Sequence, residues 1–169
     1  NFQTVVIELT GMEIANASLL DEGTAAAEAM IMLYNARSKE MISEGANRFF
    51  VDQDTFPQTI EVIRTRAAFL GIEVITGDSE QMAFSQVFGV LVQYPGESGR
   101  ITDHSDLVKV LHSRGIPVAV AADIMSLVLL VPPGQWGADV VVGSTQRFGV
   151  PMNFGGPHAA YFAVREVYK

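Results

Sequence analysis

Apolar positions recur along this chain with two periods, and stretches of the two alternate. Phe2, Val5, Val6 and Leu9 are spaced as on one helix face, and Thr10-Gly11 ends the run. Ala15 to Leu20 reads as a short connection of small and apolar residues. Asp21-Glu22 opens a helix with carboxylates in its first turn, where the helix dipole favours them; Ala25, Ala26, Ala27, Ala29, Met30, Leu33 and Tyr34 carry it to about Arg37. So much alanine predicts close packing against a sheet or another helix. Arg48 to Val51 reads as a strand. Pro57 stands at the favoured first position of a helix running to Leu70, with Gly71 as its cap. Ile72 to Ile75 and Phe88 to Gln93 follow as strands, the second apolar enough to be buried on both faces. Thr102 or Asp103 caps a helix through His112, which Gly115 stops. Pro117 to Ala122, Asp139 to Val142 and Ala159 to Val164 complete six strands. Strands and helices alternating at this spacing predict a single α/β domain over residues 1–169, with a mostly parallel sheet covered on both sides.

Composition narrows the classes of function. The 169 residues are 49% hydrophobic and 18% charged, too apolar and too lightly charged for a disordered chain. Eleven Lys and Arg against 19 Asp and Glu give a net charge of −8, and the pI near 4.7 leaves no basic footprint for nucleic acid. Without cysteine there is no disulfide, thiolate nucleophile or cysteine-ligated metal. The longest near-continuous apolar run, Ile124 to Val131, is too short to span a bilayer. A mean hydropathy of +0.25 is high for a free-standing acidic domain. With Asn1 in place of an initiator methionine and an abrupt end at Tyr168-Lys169, it predicts a piece of a longer cytoplasmic or organellar chain, part of whose apolar surface is covered by the remainder.

In an open parallel sheet, ligands bind beyond the carboxyl ends of the strands. That rule selects Asp52, Gln53 and Asp54; Thr76, Gly77 and Asp78; Tyr94 to Glu97; Asp123; and Gly143 to Arg147. Polar loops follow strands in most proteins, so the rule alone assigns no role. Asp123 stands out because it directly follows an apolar strand. It could face a cationic ring nitrogen or orient a partner, or equally serve as a turn cap. Phe154-Gly155-Gly156-Pro157-His158 is a rigid loop in which paired glycines permit close approach or positive φ. Neither G-x-G-x-x-G nor G-x-x-x-x-G-K-[ST] occurs, which weakens nucleotide binding. His104 and His112, about two turns apart, are too far to share a metal and read as surface residues; His158 is the histidine placed near a site. The three lysines, Lys39, Lys109 and Lys169, fall on an exposed helix end, mid-helix and the terminus. None follows the fifth strand, where an α/β enzyme could present a Schiff-base amine.

Two long segments carry a specific resemblance. Glu8-Leu9-Thr10-Gly11-Met12-Glu13-Ile14-Ala15-Asn16-Ala17-Ser18-Leu19-Leu20-Asp21-Glu22 runs into Gly23-Thr24-Ala25-Ala26-Ala27-Glu28-Ala29-Met30, and Gln146-Arg147-Phe148-Gly149-Val150-Pro151-Met152 runs into Asn153-Phe154-Gly155-Gly156-Pro157-His158. Both, with Gln93-Tyr94-Pro95 and Pro132 to Asp139 between them, resemble the amino-terminal half of the P-proteins of the glycine cleavage system. The resemblance implies the three-layer α/β/α large domain of fold-type I, aspartate-aminotransferase-like pyridoxal phosphate enzymes. It implies an enzyme that decarboxylates glycine and passes the aminomethyl group to lipoylated H-protein, in the cytoplasm of bacteria or in mitochondria. It also implies two related halves, of which the other carries the Schiff-base lysine and the phosphate loop.

In this chain Gln146 lies about where that lysine belongs, and an amide forms no imine. Asp21 and Glu22 stand in the segment resembling the phosphate loop, where they repel a phosphate that a bare helix terminus attracts. Asn153 stands where the family has glycine, which puts that loop's backbone in question. The expectation is a non-catalytic half that holds no pyridoxal phosphate or metal and packs on the catalytic half. Asp123, Gln146, Arg147, Asn153, Gly155, Gly156 and His158 are its candidate lining or interface residues. A self-sufficient pyridoxal phosphate transferase and a pure scaffold are the alternatives.

Overall fold

The computed structural model describes residues 1–16 and 18–169. Five parallel strands, with β3 at the outer edge, make up most of one seven-stranded sheet: β2 (Arg48–Asp52), β3 (Glu73–Gly77), β4 (Val87–Tyr94), β5 (Val118–Ala122) and β6 (Val140–Ser144). Two antiparallel strands, β7 (Ala160–Val164) and the two-residue β1 (Ile14–Ala15), extend one edge, so the order is β1-β7-β6-β5-β4-β2-β3. β4 and β5 are buried along their whole length, as uniformly apolar strands between two helical layers must be.

α2 (Glu22–Asn35) and α4 (Pro57–Ala68) cover one face, packing Ala25, Ala26, Ala29, Met30, Ile60 and Ile63 against Phe49, Val51, Leu91, Ala119 and Val142. α1 (Phe2–Thr10) and α5 (Ser105–His112) cover the other with Val6, Val108 and Leu111, over Phe50, Val90, Val120 and Tyr161. The alanines of α2 are buried between the sheet and α4, where larger side chains would force the layers apart. Asp21 caps α2 as its sequence predicts: its side chain accepts from the Thr24 N–H at 2.7 Å.

The alternation of faces along β4 is interrupted once. Arg48 pairs with Val87 but Phe49 pairs with Gly89, so Phe88 is the extra residue of a bulge and turns toward α2. Its ring stacks on Phe49 and meets Tyr34 edge-on, at 5.5 and 5.3 Å. A side chain at position 89 would lie 3.1 Å from the Phe49 ring and 3.2 Å from Leu33, which explains the glycine.

The predicted helices and six long strands are present with ends moved by one or two residues. Among the described residues, three short α or β elements are additional, besides single turns of 3-10 helix. β1 and the bridge from Leu19 to Ala160 lie in the stretch read as a plain connection, where Ala17 falls outside the described residues. α3 (Lys39–Ser43) starts at Lys39, which therefore opens a short helix instead of ending a long one. α6 (Pro133–Trp136) sits in a segment with no readable period.

Two histidines correct the reading from sequence. His104 is 8% exposed rather than on the surface, packed edge-on against Trp136 at 5.9 Å. Desolvation pushes its pKa below the usual 6.5. His112 is half-buried, with Nε2 2.8 Å from Asp139 Oδ2.

The connection from β2 to β3 runs through α4 on one face, and that from β4 to β5 through α5 on the other. The sheet therefore has its topological switch point between β2 and β4, where open α/β sheets leave a crevice beyond the carboxyl ends.

Candidate functional site

Two cavities open at the carboxyl ends of the parallel strands. The first, about 320 Å³, lies at the switch point and is lined by Asp52, Asp54, Asp78, Glu80, Gln93 and His104 among others. Its carboxylates are largely engaged in holding turns. Asp52 accepts from the Asp54 and Ser79 N–H groups at 2.8 and 3.0 Å, and Asp54 from the Ser98 N–H and Oγ, both at 2.9 Å. Among the described residues no group of three or more His, Asp or Glu could hold a metal ion.

The second cavity, about 290 Å³, is framed by the start of α2 (Asp21, Glu22), the start of α4 (Phe56, Thr59) and the loops after β6 (Gln146, His158). Glu22 is its most perturbed group. Burial, opposed by a hydrogen bond from Gln93 and assisted by the nearby Asp123 and Asp21 charges, raises the Glu22 pKa from 4.5 to about 7. Glu22 sits one residue inside a helix N-terminus, where a carboxylate is normally stabilised. The opposite shift means that desolvation and like charge outweigh the dipole here.

The candidates fall into three groups. Asp123 and Arg147 come together as an ion pair between Oδ2 and Nη1. Asp123 Oδ1 also accepts from the Met125 N–H at 3.1 Å, so this residue is both a turn cap and a charge partner. Gln146 and His158 gather at the second cavity, with Gly156 against the Gln146 side chain. The Gln146 N–H donates to Ser144 Oγ at 3.1 Å, and a side chain at Gly156 would come within 2.8 Å of Gln146 Nε2. Asn153 and Gly155 line neither cavity; they form an exposed turn closed by the Gly156 N–H to the Asn153 carbonyl at 3.0 Å. The strained residue of that turn is Phe154, at φ 52°, while Asn153 is free of positive φ. Asparagine at 153 is therefore compatible with the loop. Because the Arg147 side chain is 62% exposed, its pair with Asp123 is screened, and Arg147→Ala is expected to lower stability by less than about 1 kcal/mol in urea titration.

Glu22 is the residue whose importance sequence reading underestimated, together with Gln93, which bonds to it at 3.3 Å across 71 positions. The available signal was a lone amide near the end of an otherwise apolar buried strand.

Pyridoxal phosphate makes three demands on a fold-type I site, and these residues fit two of them poorly. Its aldehyde needs an amine, and the lining of the second cavity holds the Gln146 amide and no lysine. Its phosphate needs a helix N-terminus free of negative charge, and the Asp21 carboxylate caps the start of α2. Its ring nitrogen needs a carboxylate, and Asp123 provides one, paired here with the exposed Arg147. The three lysines all lie at exposed positions away from both cavities.

The family model for the glycine cleavage system P-protein matches residues 1–169. Glycine dehydrogenase (decarboxylating) of Christiangramia forsetii is 58% identical over all of this chain, which spans 18% of that relative's length. A crystal structure of glycine decarboxylase (P-protein) in inhibitor-bound form superposes with a TM-score of 0.84 and 32% identity, covering 99% of this chain and 38% of that one. The methionine gamma lyase CalE6 from Micromonospora echinospora, at 20% identity and a TM-score of 0.73, covers 98% of this chain and 43% of its own and shares the fold. The seven-stranded, mostly parallel sheet is thus that of the fold-type I pyridoxal phosphate enzymes, and the chain belongs to the glycine cleavage system P-protein family.

Proposed function

We propose that this chain is a structural, non-catalytic segment of a glycine decarboxylase. The whole enzyme decarboxylates glycine with pyridoxal phosphate and transfers the aminomethyl group to lipoylated H-protein; the cofactor, when bound, supplies the electron sink for that chemistry. This segment packs on the catalytic half and helps to wall its active centre. The observation that carries the reading is Gln146 two positions after β6, with neighbouring Arg147 holding Asp123. An apolar surface on the same side supports packing against another domain. Phe2, Val5, Phe148 and Val150 surround a cavity of about 430 Å³, and Met152 and Phe154 stand almost fully exposed nearby in sequence.

Borohydride reduction after incubation with pyridoxal phosphate tests the reading. No reduced pyridoxyl adduct is expected on any peptide of this segment, and an adduct on Lys39, Lys109 or Lys169 that forms at stoichiometric cofactor would overturn it. A pure scaffold is distinguished from a wall of the active centre by substituting Gln146 and Arg147 in the whole enzyme. Unchanged glycine decarboxylation would favour the scaffold.

A further inference from the structure

Gln93 lies near the end of β4, on the side covered by α2, and is 4% exposed. Its Nε2–H donates to Glu22 Oε1 at 3.3 Å. Its own Oε1 is buried and has no donor among the described residues. A buried acceptor without a donor is costly, so such atoms usually have a partner.

The charges around Glu22 do not favour its ionised form. No Lys, Arg or His of the described residues reaches it at ion-pair distance. Asp21 precedes it on α2, and Asp123 faces it from the end of β5. Arg147, the cation from the loop after β6, is committed to Asp123. His158 lines the same cavity from the glycine loop and acts on Asp21. Tyr161 of β7 is coupled to Glu22 but gives its hydroxyl proton to the Ala122 carbonyl at 2.7 Å. From the start of α4 the cavity receives Gln58 and Thr59, neither of which titrates.

We propose that Glu22 is a neutral carboxylic acid in the folded protein, giving its proton to Gln93 Oε1 while accepting from Gln93 Nε2, so that the two side chains form a cyclic acid–amide pair that opens when Glu22 ionises. The pair provides the donor that the orphan oxygen lacks and removes a charge that has no partner. It ties the first turn of α2 to the end of β4, at the wall between the two cavities. Its pH sense follows from linkage. The acid is held protonated up to about pH 7, whereas its ordinary value is 4.5. The stability it contributes is complete below about pH 4.5, declines as pH rises, and is lost above about pH 7. Opening the pair adds one negative charge beside Asp21 and Asp123, making the second cavity more hostile to anions in the same step.

Infrared pH-difference spectra of the whole protein that contains this chain test the proposal, with Glu22→Gln as the subtraction control. Expected is one carboxylic-acid C=O band that disappears with a midpoint near pH 7 and is absent from the variant. If no such band is lost between about pH 6 and pH 8.5, or if E22Q retains it, the proposal is overturned. Should E22Q fail to fold, Gln93→Leu decides. Without its amide partner the Glu22 acid band must move to the higher frequency of an unbonded carbonyl, and an unmoved band rejects the pair.

Discussion

Replacing Asp139 by alanine is expected to lower the stability of this fold by about 3–5 kcal/mol, the range for stripping a buried charge from its partners. Asp139 is 3% exposed at the start of β6. One carboxylate oxygen accepts from the Val118 N–H at 2.9 Å and faces His112 Nε2 at 2.8 Å. The other accepts from Arg165 at 3.2 Å and lies 3.5 Å from the Tyr168 hydroxyl. One side chain thus joins α5, the start of β5, and the segment after β7. Alanine leaves the Val118 N–H buried without an acceptor and releases Arg165 from its carboxylate. Asp139→Asn keeps one acceptor oxygen and loses the charge, so about half that effect is expected. Urea titration at neutral pH checks both; equal losses for the two variants would mean that charge alone, and not the hydrogen-bond geometry, carries the effect.

Gly143→Ala is expected to be nearly as damaging, by about 3 kcal/mol, for a steric reason. A Cβ at this position of β6 would be driven into the Ala122 carbonyl oxygen and would come within 2.7 and 2.8 Å of Cε1 and Oη of the Tyr161 ring. Both groups are immobile. Ala122 ends a fully buried strand, and Tyr161 is buried with its hydroxyl on that same carbonyl at 2.7 Å. Relief requires parting β5 from β6 and breaking the Tyr161 bond. In a domain of this size the loss corresponds to a fall in melting temperature of roughly 6–12 °C, which a thermal melt followed by circular dichroism would read. A fall of only a degree or two would show that the strands separate more easily than their burial implies.

These two positions also separate what was legible in the sequence from what was not. Gly143 was visible only as one small residue among several at a strand end; what makes it obligatory is Tyr161 of a strand 18 positions on, lying against it through the antiparallel pairing of β6 with β7. Asp139 was read as the first residue of a strand, which is nearly right, but nothing local indicates that its carboxylate is shared by residues from 112 to 168. His104 and His112 were misplaced on the surface for the same reason. Asp103, Ser105 and Ser113 beside them in sequence are polar, while their tertiary partners are Trp136 and Asp139.

The sequence by itself determined the layered architecture, because backbone geometry converts local hydrophobic period directly into helix or strand and uniformly apolar strands have to be covered on both sides. It determined the family through long contiguous segments, and the amide at position 146 through residue identity alone. Only the tertiary structure decided which strand ends face one another, that Arg147 neutralises Asp123, and that Glu22 and Gln93, 71 positions apart, share a buried hydrogen bond. Charge pairing and desolvation act through space at a few ångströms, and a chain that crosses its sheet from face to face brings together groups that no local pattern can connect.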